Sequence, residues 1–417
     1  MRDGRDGPDG RDGEWLSSRE ASQRLGVKLE TLYAYASRGL ITSLASDGRR
    51  GRHYASDDVE RLRTRHAARS GHGPVAAGAL RFGEPVLETR ISDVSVDGPR
   101  YRGHLATALC REGVSFERVA ELLWTGSLPE RAAEPTTRLS CDTERLWPLL
   151  RGGATLPKMA LILGTLALSD EHRHSATDAA EFARARALFH WLAQAPARRP
   201  ARAEPPKRVA ATLLGSLRAR RSPALLSNVD RALVLCAEHE LNASAFGARV
   251  AASAGADLYA CRGAAVSTLS GSAHGGMCDR VEALLSLIGS KARAPRVINE
   301  WLSRGEQVPG FGHPLYPDGD PRGALLIELA RAHGAHSEPA RAAFALLEAM
   351  ERGGHPAPTL DAGLVTLCLC LDLPSGSAAT IFALGRSAGW VAHVLEQRSA
   401  GYLLRPRARY VGPKARD

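Results

Sequence analysis

The chain has 417 residues, 44% of them hydrophobic and 24% charged, enough apolar material for two or three globular units with real cores. Nothing in it approaches the roughly 18–20 consecutive apolar residues of a membrane span, and the polar start MRDGRDGPDGRDGE lacks a signal peptide's apolar stretch; a soluble, cytoplasmic protein with no membrane partner is expected. Net charge is +10, and the seven cysteines, an odd number set well apart except for Cys368 and Cys370, offer neither a disulfide framework nor a CxxC metal site, so small buried thiols and no bound metal are expected.

Residues 1–14 repeat Arg-Asp-Gly and are too polar and glycine-rich to order themselves, which predicts a disordered tail. From Trp15 the pattern changes. Ser17-Ser18-Arg19-Glu20 reads as a capping box, followed by Ala21 and Leu25 on one helical face and a turn at Gly26. A second helix from about Lys28 to Arg38 is predicted to turn Leu29, Leu32 and Tyr33 inward and to end at Gly39. Arg49-Arg50-Gly51-Arg52-His53-Tyr54 then forms a basic turn between short extended pieces, and a third helix opens near Ser56-Asp57 with Val59 and Leu62 inward. This order, over residues 15–66, resembles the winged helix-turn-helix of MerR-type regulators and excisionases. The resemblance implies DNA-facing roles for Lys28, Thr31, Tyr35, Arg38, Arg49, Arg50 and Arg52, the second helix entering the major groove and the wing touching phosphate. Small three-helix units of this kind also serve as protein-interaction modules, and both roles stay open.

Residues 67–83 have a linker's small-residue and Gly/Pro content, and beyond them helical spacing dominates. Alanine- and leucine-rich segments at 178–195, 242–269, 277–288 and 377–398 read as helices, and no strand-rich block is sustained after about residue 100, so the fold class is mainly α. A soft spot lies at 195–207. Around it, segment 198–221 sets eight basic residues against Glu204 alone, a surplus of seven, which fits nucleic acid, a polyanionic substrate or a solvated basic loop.

Three stretches in the last third carry chemistry: SGSAHGGMCD around His274, VPGFGHPLYPDGDPRG around His313 and PAPTLDAG around Asp361. Each sets a proton-handling side chain beside glycines or small residues that let backbone and substrate come close. With GRSAGWVAHVLEQ, LLRPRARYVGP and a start (EPVLETRISDVSVDGPRYRGHLATALCREGVSFERVAELLWTGSLP) like that of bacterial and archaeal members, residues 84–413 resemble the citrate synthases.

The resemblance implies a fold of large and small helical domains, the small one at roughly 270–375, and condensation of an acyl-CoA, acetyl-CoA first, with oxaloacetate and water to give citrate and free CoA in the tricarboxylic acid cycle. Asp361 is then the base that removes the α-proton, His274 the donor to the thioester oxygen, and His313 the group that polarises the oxaloacetate carbonyl. His239, Arg322 and Arg386 bind oxaloacetate from one subunit of a homodimer, and Arg405 reaches in from the other. The acyl carrier, a substrate and not a cofactor, lies along Val308-Pro309-Gly310-Phe311-Gly312. The chain departs from the family pattern at four places: Met277-Cys278 stand where HGGANE has Ala-Asn, Pro314 replaces the Arg of GFGHR, and Thr359 replaces an Asn. Two other readings keep the fold: a 2-methylcitrate synthase using propionyl-CoA, and a metabolite-sensing DNA-binding regulator with weakened catalysis.

Overall fold

The computed structural model describes residues 15–45, 52–56, 58–59, 62, 87–175, 177–197, 208–219, 222–272, 274–408, 410 and 412. The expected tail 1–14, the whole linker 67–83, most of the soft spot 195–207, and Arg49 and Arg50 lie outside them. Two compact units divide the chain: one up to Glu88, with which residues after Arg405 group, and one spanning Thr89–Arg405.

The first unit opens with strand β1 (Trp15–Ser17), then helix Ser18–Leu25 under the expected capping box: Ser17 Oγ accepts from the Glu20 amide while Glu20 reaches back to the Ser17 amide. Gly26, at φ +63°, closes that helix. Helix Leu29–Ser37 follows, and strands β2 (Ser43–Ala45) and β3 (Arg52–Ala55) complete an antiparallel sheet in the order β1-β3-β2. Leu16, Ala21, Leu25, Leu32, Ile41, Tyr54, Val59 and Leu62 form its core. The inward face of the second helix differs from the expectation. Leu29 and Tyr33 are 42% and 49% exposed, while Leu32, Tyr35 and Ala36 face the core. Two apolar stripes share this short helix, and only the one aligned with Leu16 and Tyr54 is covered.

The second unit begins with a small antiparallel sheet of β4 (Ser92–Ser95), β5 (Gly98–Tyr101) and β6 (His104–Leu105), the last two joined at Arg102 and Gly103, both at positive φ. Every later regular element among the described residues of this unit is a helix, as the alanine- and leucine-rich spacing predicts. Its axis is the 24-residue helix Ser377–Ala400, buried along almost its whole length and packed by helices Phe116–Thr125, Pro223–Cys236, Ala243–Ser253 and Leu258–Leu269. A helix buried on all sides is ordinarily apolar throughout. This one carries Arg386, Ser387, His393 and Gln397 into the interior.

The run 242–269 is not one helix. Gly255, at φ +80°, breaks it, and Asp257 caps the second piece by accepting from the Ala260 amide. Arg208, at the edge of the basic segment, is not loose surface charge: its guanidinium pairs with Asp230 at 2.6 Å and Glu117 at 3.2 Å. All seven cysteines are free thiols, six of them buried.

Candidate active site

Helix Pro321–His333 begins at a self-contained clamp. Asp320 caps it, accepting from the Arg322 amide at 3.0 Å, and the same carboxylate takes Arg322 Nε at 3.0 Å and Nη2 at 2.8 Å. Both residues are 2% exposed. Against the penalty of burial, the ion pair holds the Asp320 carboxyl below and the Arg322 guanidinium above their ordinary ranges, so both stay charged. Arg322 Nη1 has no hydrogen-bond partner among the described residues. A buried donor left open this way is costly unless a ligand fills it.

The same Asp320 reaches the next motif, accepting from the Leu360 amide at 3.3 Å at the start of helix Leu360–Cys370. Two glycines allow that approach: a Cβ on Gly363 would lie 2.6 Å from the Gly323 carbonyl, and one on Gly323 2.5 Å from the Thr359 carbonyl. Arg322 and Asp361 are thus fixed on adjoining first turns. Segments 310–312 and 357–359 are zipped by Gly312 N to Ala357 O at 2.9 Å and Thr359 N to Gly310 O at 2.8 Å, which brings His313 in beside them.

His313 Nδ1 accepts from the Leu315 amide at 3.2 Å, which leaves the ring proton on Nε2. Its ring lies 5.6 Å from that of His239 and 5.1 Å from that of Tyr316, and the Tyr316 hydroxyl is 2.8 Å from His239 Nε2. Burial, with Arg322 adding to it, lowers both imidazoles, His239 well below its ordinary value. Glu238 accepts from the His239 amide at 2.8 Å and from His393 Nε2 at 3.2 Å, anchoring the turn to the central helix. On that helix Arg386 donates through Nε to the Cys236 carbonyl at 2.8 Å, its guanidinium over the Phe382 ring.

His274 is held from the far side. Its Nε2 lies 2.9 Å from Ser244 Oγ, which accepts from Trp390 Nε1 at 3.1 Å and has Asn242 Oδ1 at 2.7 Å. Ser244 has a single proton for two acceptors. When it points at His274, the imidazole carries its own proton on Nδ1 and donates from there. Burial, then Arg386, pushes His274 down to about 4, so the ring is neutral at physiological pH. Asp361 is partly exposed, and burial raises its carboxyl above the ordinary Asp range. Cys278 donates to its Oδ1 at 3.2 Å.

His239, His274, His313, Arg322, Arg386 and Asp361, drawn from five separate segments, therefore share one electrostatic neighbourhood. Two buried guanidiniums among neutral imidazoles make it a receptor for anions. Arg405 is exposed in the irregular segment after the last helix. Along the expected acyl-carrier run, Val308, Pro309, Gly310 and Phe311 are buried and Gly312 alone is exposed, with the Gly310 carbonyl and Gly312 amide already paired.

Residues 81–407 match the family described as citrate synthase, C-terminal domain. The chain belongs to the citrate synthase family. It is accordingly an acyltransferase. Putative citrate synthase 2 of Mycobacterium tuberculosis H37Rv is 33% identical over 356 residues, 80% of this chain and 93% of its own length. The 2-methylcitrate synthase of Shewanella oneidensis is 31% identical over 375 residues, covering 81% and 96%. Among solved structures, citrate synthase from Thermotoga maritima superposes with a TM-score of 0.68 at 26% identity, over 80% of this chain and 96% of that one. The ternary complex of carboxymethyl coenzyme A and oxaloacetate with the Thermoplasma acidophilum enzyme shares the fold, with a TM-score of 0.70 at 21% identity, over 82% and 97%. Residues 16–73 match the MerR helix-turn-helix family of regulatory proteins, as the first unit's elements had indicated. No helix among the described residues is long and apolar enough to cross a membrane.

The sequence reading missed the supporting groups. Tyr316 holds His239 from 77 residues away and Ser244 holds His274 from 30, with Trp390 and His393 bonded in turn to Ser244 and Glu238; only Glu238, next to His239, acts within a short motif. Thr359, a departure from the family pattern, is the N-cap residue of the Asp361 helix and makes no side-chain cap bond there.

Proposed function

We propose that this citrate synthase family protein joins the α-carbon of an acyl-CoA to the carbonyl carbon of oxaloacetate and hydrolyses the resulting thioester. The observation that supports this reading best is the convergence of His274, His313 and Asp361 on the buried Arg322 and Arg386. Asp361, ionised and raised in basicity by burial, takes the α-proton. The electron pair moves to the thioester oxygen, to which His274 donates from Nδ1. The enol carbon then attacks the ketone carbon of oxaloacetate, whose oxygen takes a proton from His313 Nε2. Water cleaves the thioester to release citrate and the CoA thiol. Arg322 and Arg386 hold the two carboxylates of oxaloacetate, with His239 between them, and Arg405 is contributed by the second subunit of a homodimer.

Acetyl-CoA is the proposed donor. Propionyl-CoA, which would make the product 2-methylcitrate, is the second reading, favoured by the likeness to the Shewanella enzyme. Both reactions follow the same chemistry. Thiol release by the purified protein with oxaloacetate and each acyl-CoA tests the reading and chooses the donor. Asp361→Asn keeps shape but removes the base, and turnover should fall by about two to four orders of magnitude; a variant retaining more than a tenth of wild-type turnover would remove Asp361 from this role. The helix-turn-helix unit is proposed to contact DNA, on the strength of its family match.

A further inference from the structure

We propose that the Cys278 thiol is the positioning donor of the Asp361 carboxylate, fixing its Oδ1 and setting how basic the carboxylate is. The inference rests on the reading of Asp361 as the base. Three observations carry it. First, Cys278 Sγ lies 3.2 Å from Asp361 Oδ1, and no other residue donates a side-chain hydrogen bond to that carboxylate among the described residues. Second, Cys278 is fully buried and opens helix Met277–Ile288 one residue past its start, directly after His274-Gly275-Gly276, so the thiol is carried on the element that follows His274. Third, the elements that carry the thiol and the carboxylate are packed directly together. A Cβ on Gly310 would strike Val281 of the same helix at 2.6 Å and meet Ala362 at 3.1 Å, so the Cys278 helix, the 310–312 segment and the start of the Asp361 helix are in mutual contact.

The chemistry of sulfur gives the arrangement a consequence. Burial, reinforced by the neighbouring carboxylate, drives the Cys278 thiol well above its ordinary range, so it remains S–H and donates to the carboxylate oxygen. An S–H group is a weak donor compared with the hydroxyl or amide that a polar residue would place here. It orients Oδ1 while withdrawing little of the charge density that a base needs. The carboxylate's other hydrogen bond is to its own backbone amide, so no second side chain competes with the substrate for it among the described residues. The other charged groups facing Asp361 are Arg322, which favours the carboxylate, and Asp320, which opposes it. Both are locked in their own ion pair and are the same in every variant below.

The test combines two readouts. In the acid limb of the kcat/KM profile, Cys278→Ala should move the apparent pKa upward by about half a pH unit or more, because the carboxylate loses its donor, and turnover should fall. Cys278→Ser, a stronger donor of nearly the same size, should keep most of the turnover and move the limb downward. A residue that merely fills space would change melting temperature without ordering the limbs Ala above Cys above Ser. Independently of activity, the infrared S–H stretching band of Cys278, identified by its disappearance in Cys278→Ser, should shift to higher frequency in Asp361→Ala. Coincident acid limbs in the three proteins, or an S–H band indifferent to Asp361→Ala, overturns the proposal. Should Cys278→Ala fail to fold, the serine variant and the infrared band decide. If Asp361→Asn retains turnover, the base itself is misassigned; if it collapses while the Cys278 series stays flat, only the thiol's role is lost.

Discussion

The Tyr316 hydroxyl and His239 Nε2 lie 2.8 Å apart, within hydrogen-bond distance. Burial pushes the phenol up to about 12, and burial with the two arginines drives His239 well below its ordinary value, so a neutral phenol meets a neutral imidazole. With the hydroxyl donating, Nε2 is the acceptor and the ring proton sits on Nδ1, free to face a carboxylate of the keto acid. Tyr316→Phe keeps the ring and removes the donor. The KM for oxaloacetate should rise about 5- to 30-fold, the effect of leaving a buried nitrogen unpaired, with little change in kcat. A rise confined to the KM of the acyl donor would show that His239 serves the other substrate.

The acid limb of activity should belong to one proton on Asp361. Its folded pKa is raised by burial, so the limb lies above the ordinary Asp range and kcat/KM falls as pH drops through it. His274 and His313 are both depressed by burial, His274 to about 4, which moves their titration below the ordinary imidazole range. A slope of one in log kcat/KM against pH is expected. A slope of two, or a limb that survives in His274→Asn at a shifted position, would place a histidine among the titrating groups.

The three motif residues were legible in the sequence because the signal around each is local: His274 precedes two glycines, His313 follows a glycine pair, and Asp361 sits at a helix start beside Ala362 and Gly363. What holds them was not, since Glu238 meets His393 and Cys278 meets Asp361 only after helices far apart in the chain have packed. Periodicity failed in two specific ways. In helix Leu29–Ser37 two apolar stripes satisfy the same spacing, and only tertiary packing chooses Leu32 and Ala36 over Leu29 and Tyr33. Between Ala243 and Leu269 an alanine-rich background hid the stop at Gly255 and the new start at Asp257.

Gly389 has no tolerance for a side chain. A Cβ there would collide with Glu238 Oε2 and lie 2.7 Å from the Ala237 carbonyl, to which the Gly389 amide is itself bonded. Gly389→Ala must displace Glu238, which holds both the His239 amide and His393. A loss of about 2–4 kcal/mol of stability is expected from overpacking and from breaking a buried network, read as a lower midpoint in chemical denaturation. Oxaloacetate affinity should fall in parallel, since the His239 turn moves with Glu238.

Arg405 supplies a test of the shared site. It is exposed on the segment after helix Ser377–Ala400, which suits the proposed role of completing a partner's site. Arg405→Ala should cripple turnover. Mixing it with His274→Ala subunits should restore part of the activity, because each hybrid dimer then contains one intact site. If subunit exchange is verified by mass and no activity returns, Arg405 acts in its own subunit or not at all.

The last prediction concerns the front unit. Lys28 and Arg38 flank helix Leu29–Ser37 and are exposed, Thr31 and Tyr35 are half-buried on it, and Arg52 is exposed on β3, whereas Arg49 and Arg50 fall outside the described residues. A helix face with so few basic residues could make few phosphate contacts, so one copy alone would bind DNA weakly. The proposed homodimer would present two copies, and linked sites gain affinity through high effective concentration. Retardation of genomic DNA fragments by the full-length protein should therefore weaken steeply with salt and require the dimer. Replacing Lys28 and Arg38 together by Ala should weaken binding to all sequences alike and reduce the slope of log K against log salt by about two if both contact phosphate in one copy. Wild-type protein that retards no fragment even at low salt would leave the unit a protein-interaction module attached to a metabolic enzyme.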